Sequence, residues 1–281
     1  MKTVLEVITA TSEYFAKAKI ESPRLNIEHL LAHVLGMKRM GLYMQFDRQL
    51  TEAELAPLRL LVKRRAAAEP LQYLLGTAEF LSHTLKCDAR ALIPRPETEE
   101  LVEHIVMEGK TDGCPWKSGH IVDIGTGTGC IALALAAAFP DARVTAADVS
   151  ADALALAREN AASLAMEDRV AFVHSDLLAS VDGPIDLLVA NLPYIPSDEI
   201  PGLQREVLNE PRLALDGGFD GLALVRRLLE EAQSKLSPGA TIALELHLDQ
   251  PSKLAAELTG YAEKKVAKDH SGRERFLYLR R

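Results

Sequence analysis

The stretch Val122-Asp123-Ile124-Gly125-Thr126-Gly127-Thr128-Gly129-Cys130-Ile131-Ala132 decides the fold of this chain. A short apolar run typical of a buried strand leads into it, and an apolar, alanine-rich run typical of a helix follows it. Between the two runs, three glycines occupy alternate positions, which removes side chains where a ligand has to touch the backbone. The stretch therefore predicts a strand, a ligand-binding loop and a helix in direct succession.

The alternation of short apolar runs with helical segments continues from about residue 97 to residue 281. The predicted strands are 120–124, 144–147, 170–173, 185–190, 241–246 and 276–279, and the predicted helices are 129–139, 151–164, 221–236 and 251–258. Such alternation is typical of a parallel sheet with helices on both faces. We therefore predict an α/β fold built on a doubly wound, Rossmann-like sheet.

The first 75 residues have a helical pattern instead. Apolar residues over 27–35 recur at the spacing of one helix face, with Asn26 as the predicted N-cap. Thr51 and Glu54 have the spacing of a capping box and predict a second helix. The predicted domains are a small helical bundle over 1–75, a linking β-hairpin over 76–96 and the sheet domain over 97–281.

The composition narrows the class of protein further. The chain has 281 residues, of which 48% are hydrophobic and 26% charged, as in a folded globular protein. The net charge of −8 argues against nonspecific binding of nucleic acid. The charge is uneven, with a net +3 over residues 1–90 and −11 over the rest, which predicts different partners for the two regions. Lys63-Arg64-Arg65 suits docking on an acidic protein surface or on RNA, and a solvated helix face is the alternative reading.

Cysteine and histidine usage point to a reducing compartment and to no metal. The three cysteines have neither the spacing of a metal site nor the density of a disulfide scaffold, and the eight histidines lack ligand spacing. The first residues lack the apolar run of a signal peptide, and no stretch is apolar enough to cross a membrane. We therefore expect a cytoplasmic protein without a membrane partner.

Three carboxylates are predicted to follow or end successive strands. Asp123 precedes the glycine loop, where a negative charge suits a zwitterionic or cationic ligand better than a pyrophosphate. Asp148 ends the second strand, where a carboxylate can accept from both hydroxyls of a ribose. Asp176 follows the third strand and can accept from an adenine amino group, with Leu177 in apolar contact with the ring. Read separately, the three could instead cap a turn, cap a helix and face solvent.

Taken in order, these residues outline S-adenosylmethionine. Residues 120–281 thereby resemble the class I methyltransferases that use this cofactor. The predicted cofactor-binding residues are Asp123, Gly125, Thr126, Gly127, Thr128, Gly129, Asp148, Asp176, Leu177 and Asn191.

The tetrapeptide Asn191-Leu192-Pro193-Tyr194 directly follows the fourth strand, at the sheet edge where open α/β folds bind ligands. Its residue types suit a planar amide or amino nitrogen, because the side-chain carbonyl of Asn191 and the backbone carbonyl of Leu192 can accept its two N–H bonds. Tyr194 offers a face for a flat group. Such a nitrogen is a weak nucleophile, so two acceptors both aim and polarise it. We predict that Asn191, Leu192, Pro193 and Tyr194 form the catalytic motif, although a proline turn with a capping asparagine would look similar.

Further segments resemble one family in particular. They are 69–76 (Glu-Pro-Leu-Gln-Tyr-Leu-Leu-Gly), Phe80, 92–99 (Leu-Ile-Pro-Arg-Pro-Glu-Thr-Glu), Glu210-Pro211, Ala214-Leu215, Gly217-Gly218, Asp220-Gly221-Leu222, Pro238-Gly239, Glu245, Gln250 and 269–276. Together they resemble the glutamine methyltransferases that modify peptide chain release factors, over essentially the whole chain. The family usually has proline where this chain has Leu192, and the leucine version also occurs in rRNA adenine dimethyltransferases.

The resemblance implies a substrate and a division of labour. It implies methylation of the side-chain amide nitrogen of the glutamine in a release factor's Gly-Gly-Gln motif, with S-adenosylhomocysteine as the second product. It also implies that the N-terminal bundle recognises the substrate and that Arg95 and Glu97 lie near the cofactor and substrate cleft. Contact with RNA is possible but not required.

Three other functions stay open at this level. The same active site would accept a glutamine of a ribosomal protein, and related motifs methylate adenine N6 in nucleic acids. A noncatalytic binding module that keeps the fold is the third alternative, against which the glycine loop and Asn191 argue.

Overall fold

The computed structural model describes residues 2–111 and 113–281; Met1 and Asp112, which fall in the predicted bundle and sheet domains, lie outside the described residues. The chain divides into two compact units. The helical unit comprises Met1–Thr77 together with Gln204–Asn209, and the sheet unit comprises Ala78–Leu203 together with Glu210–Arg281. A short segment from late in the sequence therefore belongs to the helical unit, which the sequence pattern did not predict.

The helical unit packs short helices around one apolar core. Its elements are β1 (Lys2–Thr3), α1 (Val4–Lys17), α2 (Pro23–Val34), α3 (Arg39–Tyr43), β2 (Gln49–Leu50), α4 (Glu52–Ala66) and α5 (Leu71–Leu75), with a 3-10 turn at Val207–Asn209. β1 and β2 pair antiparallel. Phe15, Ile27, Leu30, Leu31 and Leu42 are fully buried in the core.

The predicted start of α4 is confirmed and that of α2 is wrong. The N–H of Thr51 donates to the carboxylate of Glu54 over 2.9 Å, as a capping box requires. α2 begins at Pro23, whose ring sets a helical φ at the first position, so Asn26 lies inside the helix rather than before it. Asn26 is buried, and its amide donates to the backbone carbonyls of Glu21 and Ser22.

The sheet unit begins within a two-stranded hairpin, whose first residue, Thr77, ends the first segment of the helical unit, and continues into a seven-stranded sheet with helices on both faces. Its elements are β3 (Thr77–Phe80), β4 (His83–Lys86), α6 (Pro96–Gly109), β5 (His120–Ile124), α7 (Cys130–Ala138), β6 (Arg143–Asp148), α8 (Ala151–Ser163), β7 (Val170–His174), β8 (Ile185–Ala190), α9 (Ala223–Ala232), β9 (Leu236–Glu245), α10 (Gln250–Glu257), β10 (Glu263–Lys268) and β11 (Glu274–Arg280). Three 3-10 turns lie at Pro115–Lys117, Ile200–Gly202 and Arg212–Ala214.

The large sheet has the order β10-β11-β9-β8-β5-β6-β7. The five strands from β9 to β7 are parallel, which confirms the predicted doubly wound α/β fold. α6, α7 and α8 contribute buried side chains to one apolar cluster, and α9 and α10 contribute to another. The carboxyl ends of the parallel strands meet at one edge, and the predicted site residues follow or end these strands.

The last strands differ from the prediction. β10 and β11 pair antiparallel, and β11 runs antiparallel to β9, because the short link between β10 and β11 cannot carry a crossover helix. β10 escaped prediction because its Glu-Lys-Lys start is charged and exposed at the sheet edge. β9 begins at Leu236, five residues earlier than predicted, and runs through Pro238 and Gly239, which resemble a turn in sequence.

Within residues 2–111 and 113–281, no helix has the length and apolar character needed to cross a membrane.

Candidate active site

The glycine loop leaves β5 with its backbone tied to the end of β6. The N–H groups of Gly125 and Thr126 both donate to the carbonyl of Ala147, over 2.8 and 3.1 Å. Gly125 has a φ of +73°, and a Cβ placed there would lie 2.9 Å from Cδ2 of Leu192. Only glycine satisfies both the conformation and the close approach. The loop therefore lies directly against the tetrapeptide that follows β8.

The side chain of Asp123 holds this loop in place by hydrogen bonds. Its side chain is fully buried, and one carboxylate oxygen accepts from the hydroxyl of Thr126 and from the N–H of Ala132. The other oxygen, Oδ1, is buried without a hydrogen-bond partner. Burial raises the pKa of Asp123 to about 7, against the lowering effect of these hydrogen bonds. Asp123 does not line the adjacent cavity, so its direct contact with the cofactor stays a prediction.

Asp148 joins the glycine loop to the next helix. One oxygen accepts from the N–H of Gly127 and the other from the N–H of Ser150, each over 2.9 Å. Burial raises the pKa of Asp148, and these backbone hydrogen bonds oppose the rise. Each oxygen keeps a second lone pair, and the residue lines the cavity. Asp148 therefore combines a loop-anchoring role with free acceptor capacity.

Asp176 and Leu177 lie beyond the end of β7 and line the same cavity. The side chain of Asp176 is 58% exposed and pairs with Arg227 over 2.9 Å. Leu177 is buried and has a φ of +47°, which is uncommon for leucine. Their geometry is compatible with apolar and acceptor contacts to a flat ring, which stay a prediction.

The cavity has a volume of about 300 Å³ and lies entirely within the sheet unit. Beyond the residues described above, its wall includes Arg90, Ala91, Leu92, Ile93, Pro94, Arg95, Thr98, Thr128, Cys130, Asn191, Pro193, Pro211, Leu213 and Ala214. Gly129 lies outside the wall, and a Cβ there would lie 3.2 Å from Cβ of Ala157, so this glycine serves helix packing.

These features fit S-adenosylmethionine. The cavity size is that of a small-molecule site. Asp148 supplies acceptors for a vicinal diol, and the hydroxyl of Thr128 is buried without a partner. Glycines at 125 and 127 leave the backbone accessible along the loop. The residues present therefore suit a ligand with ribose and polar ends.

The tetrapeptide 191–194 is held by its backbone as well as by its side chains. Asn191, Leu192 and Pro193 all line the cavity, and Leu192 is otherwise buried. Nε2 of Gln250 donates to the carbonyl of Tyr194 over 2.9 Å. A Cβ at Gly217 would lie 2.6 Å from the carbonyl oxygen of Pro193, so the loop 217–221 packs directly on the motif backbone.

Behind Asn191, a buried chain of hydrogen bonds reaches back into the protein. Nδ2 of Asn191 donates to Oγ1 of Thr98 over 3.0 Å, and Thr98 donates to the carboxylate of Glu245 over 2.7 Å. The hydroxyl of Tyr194 lies 3.5 Å from the other oxygen of Glu245. Burial raises the pKa of Glu245 to about 7 and raises that of Tyr194. The side-chain oxygen of Asn191 is left for another donor.

The segment 92–99 forms part of the cavity wall. Arg95 pairs with the buried carboxylate of Glu210, which also accepts from the N–H of Ile93 over 3.0 Å. Glu97 does not line the cavity; it lies 3.5 Å from Arg273. Arg95 thus lies at the site as the family resemblance implied, whereas the site role of Glu97 stays a prediction.

Sequence reasoning missed several residues of this site. Thr98, Glu245, Glu210 and Gln250 were noted only as parts of family segments, and Asn160 was not noted at all. Asn160 is fully buried and donates to the carbonyl oxygens of Thr128 and Lys86, which ties the hairpin to the glycine loop. An asparagine in the middle of an apolar helix face is the signal that could have found it.

The basic turn of the helical unit is not a continuous charged surface. Arg65 is 2% exposed and binds Asn26, the carbonyl of Glu69 and the carboxylate of Glu206. The predicted contribution of Arg65 to a docking surface is therefore wrong, because its charge is neutralised inside the unit. Among the described residues, no three His, Cys, Asp or Glu side chains group as metal ligands.

Comparison with known proteins identifies the class first. Residues 97–225 match the family model of the methyltransferase small domain. The catalytic domain of hMettl16, solved in complex with the MAT2A 3'UTR hairpin 6, shares the fold with a TM-score of 0.54 and 15% identity, covering 79% of this chain and 81% of that one. The sheet unit is thus a Rossmann-like methyltransferase domain.

The particular family follows from the whole chain. Residues 6–76 match the model of the PrmC N-terminal domain. The release factor glutamine methyltransferase of Chlorobaculum tepidum is 42% identical over 98% of this chain and 96% of its own length. The enzyme of the same name from Deinococcus radiodurans is 41% identical over 98% of each chain. The chain belongs to the release factor glutamine methyltransferase family.

Proposed function

We propose that this enzyme transfers a methyl group from S-adenosylmethionine to the side-chain amide nitrogen of the glutamine in a release factor's Gly-Gly-Gln motif. The proposal rests on the hydrogen bonding of the Asn191 side chain. Its amide nitrogen is engaged by Thr98 while its side chain lines the cavity, so its oxygen is the atom left to accept from a substrate N–H. A planar primary amide offers two such N–H groups.

The reaction needs alignment more than acid–base chemistry. S-Adenosylmethionine, when bound, supplies an electrophilic methyl group whose C–S bond breaks as the C–N bond forms, with sulfur keeping the electron pair and one amide proton passing finally to solvent. Asn191 and the backbone carbonyl of Leu192 accept the two amide N–H bonds, which aims the nitrogen and draws density towards it. Tyr194 offers a flat face to the amide plane.

The cofactor is proposed to lie along the glycine loop. Asp148 accepts from the ribose hydroxyls, Asp176 and Leu177 contact the adenine, and the loop 125–129 leaves room for the remainder. Asp123 acts from beneath the loop by holding Thr126 and the start of α7. Arg95 lines the cleft, and Glu97 is proposed to lie near it.

The helical unit is proposed to recognise the release factor and to take no part in the chemistry. Every residue of the cavity wall lies in the sheet unit, which supports this division. The reaction is proposed to take place in the cytoplasm, where release factors act on ribosomes.

Transfer of labelled methyl groups to purified release factor tests the function. We expect labelling of the Gly-Gly-Gln glutamine, no labelling of a release factor in which that glutamine is alanine, and none of rRNA. Asn191→Ala should lower turnover about 100-fold or more, with cofactor affinity little changed, because aim and polarisation are lost. Labelling of the alanine-substituted factor, or normal turnover by Asn191→Ala, would refute the proposal.

A further inference from the structure

The side chains of Glu245, Thr98 and Asn191 form one chain of hydrogen bonds that ends at the active site. Glu245 ends β9 and is 1% exposed, and Thr98 lies in the first turn of α6 and is 2% exposed. Thr98 contacts Glu245 over 2.7 Å and Asn191 over 3.0 Å. Buried polar groups placed in this way are unusual in an apolar core and need full pairing to be tolerated.

The chemistry of the members gives the chain a direction. An ionised carboxylate can only accept, so the single hydroxyl proton of Thr98 goes to Glu245. The oxygen of Thr98 is then left as an acceptor, and Asn191 must turn its NH2 group towards it. The carbonyl oxygen of Asn191, on the same planar amide, consequently faces away from Thr98.

We propose that Thr98 and Glu245 are positioning residues that hold the Asn191 amide with its oxygen towards the methyl-accepting nitrogen. The inference rests on the proposed function, because it explains which atom of Asn191 meets the substrate. Neither residue touches the reacting atoms. Without them, the amide could rotate and present its NH2 group to a substrate that also offers N–H, which places two donors opposite each other.

The ionisation of Glu245 sets this direction. Four ionisable side chains interact electrostatically with Glu245: Glu97 on α6, Arg275 on β11, Tyr194 after β8 and Cys130 on α7. Burial raises the pKa of Glu245 to about 7, and the side-chain hydrogen bonds from Thr98 and Asn191 oppose the rise. When Glu245 takes up a proton, it can donate to Thr98. The donors and acceptors in both hydrogen bonds, Glu245–Thr98 and Thr98–Asn191, can then exchange roles. The preference for the correct orientation is therefore weakened as pH falls through about 7 and is kept above it.

The first test compares three threonine variants in single-turnover assays on release factor. Thr98→Val should lower the methyl-transfer rate about 10- to 100-fold with KM for the release factor unchanged, because aim is lost and binding is not. Thr98→Ser keeps the hydroxyl and should restore most of the rate. Thr145→Val is the matched control, since Thr145 is also buried and hydrogen-bonded, to His120 over 2.9 Å. Equal rates for Thr98→Val and wild type would overturn the inference.

The second test follows the Asn191 amide in the free enzyme labelled with 15N-asparagine. The NH2 signals of Asn191, identified by their loss in Asn191→Ala, should shift between pH 6 and 8 with a midpoint of about 7 and should not shift in Glu245→Gln. Signals that are flat in wild type, or that still titrate in Glu245→Gln, would overturn the inference. The titration of the Asn191 NH2 signals needs no substrate. Absence of methyl transfer by the wild-type enzyme would therefore refute the proposed function alone.

Discussion

At the scale of the residue, Asp148 performs two tasks that a sequence motif cannot separate. Its carboxylate anchors the N–H groups of Gly127 and Ser150 and keeps lone pairs for the ribose. Asp148→Ala should therefore weaken S-adenosylmethionine binding about 100-fold or more, since charge-assisted hydrogen bonds contribute about 1.5–3 kcal/mol each. It should also lower the stability of the loop, because two backbone donors lose their partner.

Calorimetric titration of the folded variant checks this expectation. Asp141→Ala is a suitable control, because Asp141 is exposed and lies just before β6, at the opposite end of the strand from Asp148. Unchanged cofactor affinity in Asp148→Ala would remove the ribose assignment.

At the scale of the element, the loop 217–221 braces the catalytic motif through backbone contact. A Cβ at Gly217 would meet the carbonyl oxygen of Pro193 at 2.6 Å and that of Gly221 at 2.7 Å, and neither can yield without moving the chain. Gly217→Ala should therefore lower the free energy of unfolding by about 1–3 kcal/mol and reduce turnover, because the motif backbone has to shift.

Urea unfolding and turnover should be measured together for this variant. Gly202→Ala makes the same chemical change at a site where a Cβ meets nothing within 4 Å, and it should leave both quantities unaltered. If Gly217→Ala behaved like Gly202→Ala, the loop would have no bracing role.

At the scale of the whole molecule, Arg65 joins distant parts of the chain inside the helical unit. Its three nitrogens donate to Asn26, Glu69 and Glu206, of which Glu206 belongs to the segment Gln204–Asn209. Lysine cannot donate in three fixed directions from one planar group. Arg65→Lys should therefore destabilise the helical unit by about 2 kcal/mol, and it should raise KM for the release factor while cofactor affinity stays normal.

Thermal unfolding and cofactor titration distinguish an effect confined to the helical unit from an effect on the whole protein. Arg64→Lys is the neighbouring control, because Arg64 is exposed and its pair with Glu69 contributes little. A fall in cofactor affinity in Arg65→Lys, with the helical unit intact, would contradict the division of labour between the units.

Local pattern was sufficient for much of this protein. The strand–glycine loop–helix succession, the parallel sheet and the Thr51 capping box all depend on neighbours along the chain, and the structure confirms them. The positions of Asp148 and Asn191 after or at the ends of strands followed from the same pattern, because parallel strands bring their carboxyl ends to one edge.

Only the tertiary structure decided which partners complete the site. Asn191 meets Thr98 across 93 positions of sequence, and Thr98 meets Glu245 across 147. The burial of Asp123 and Arg65 likewise depends on segments that pack over them, so their exposure could not be deduced from residue type. Hydrogen-bond direction, burial and raised pKa values are properties of side chains that folding brings together. They cannot be predicted from neighbours along the sequence.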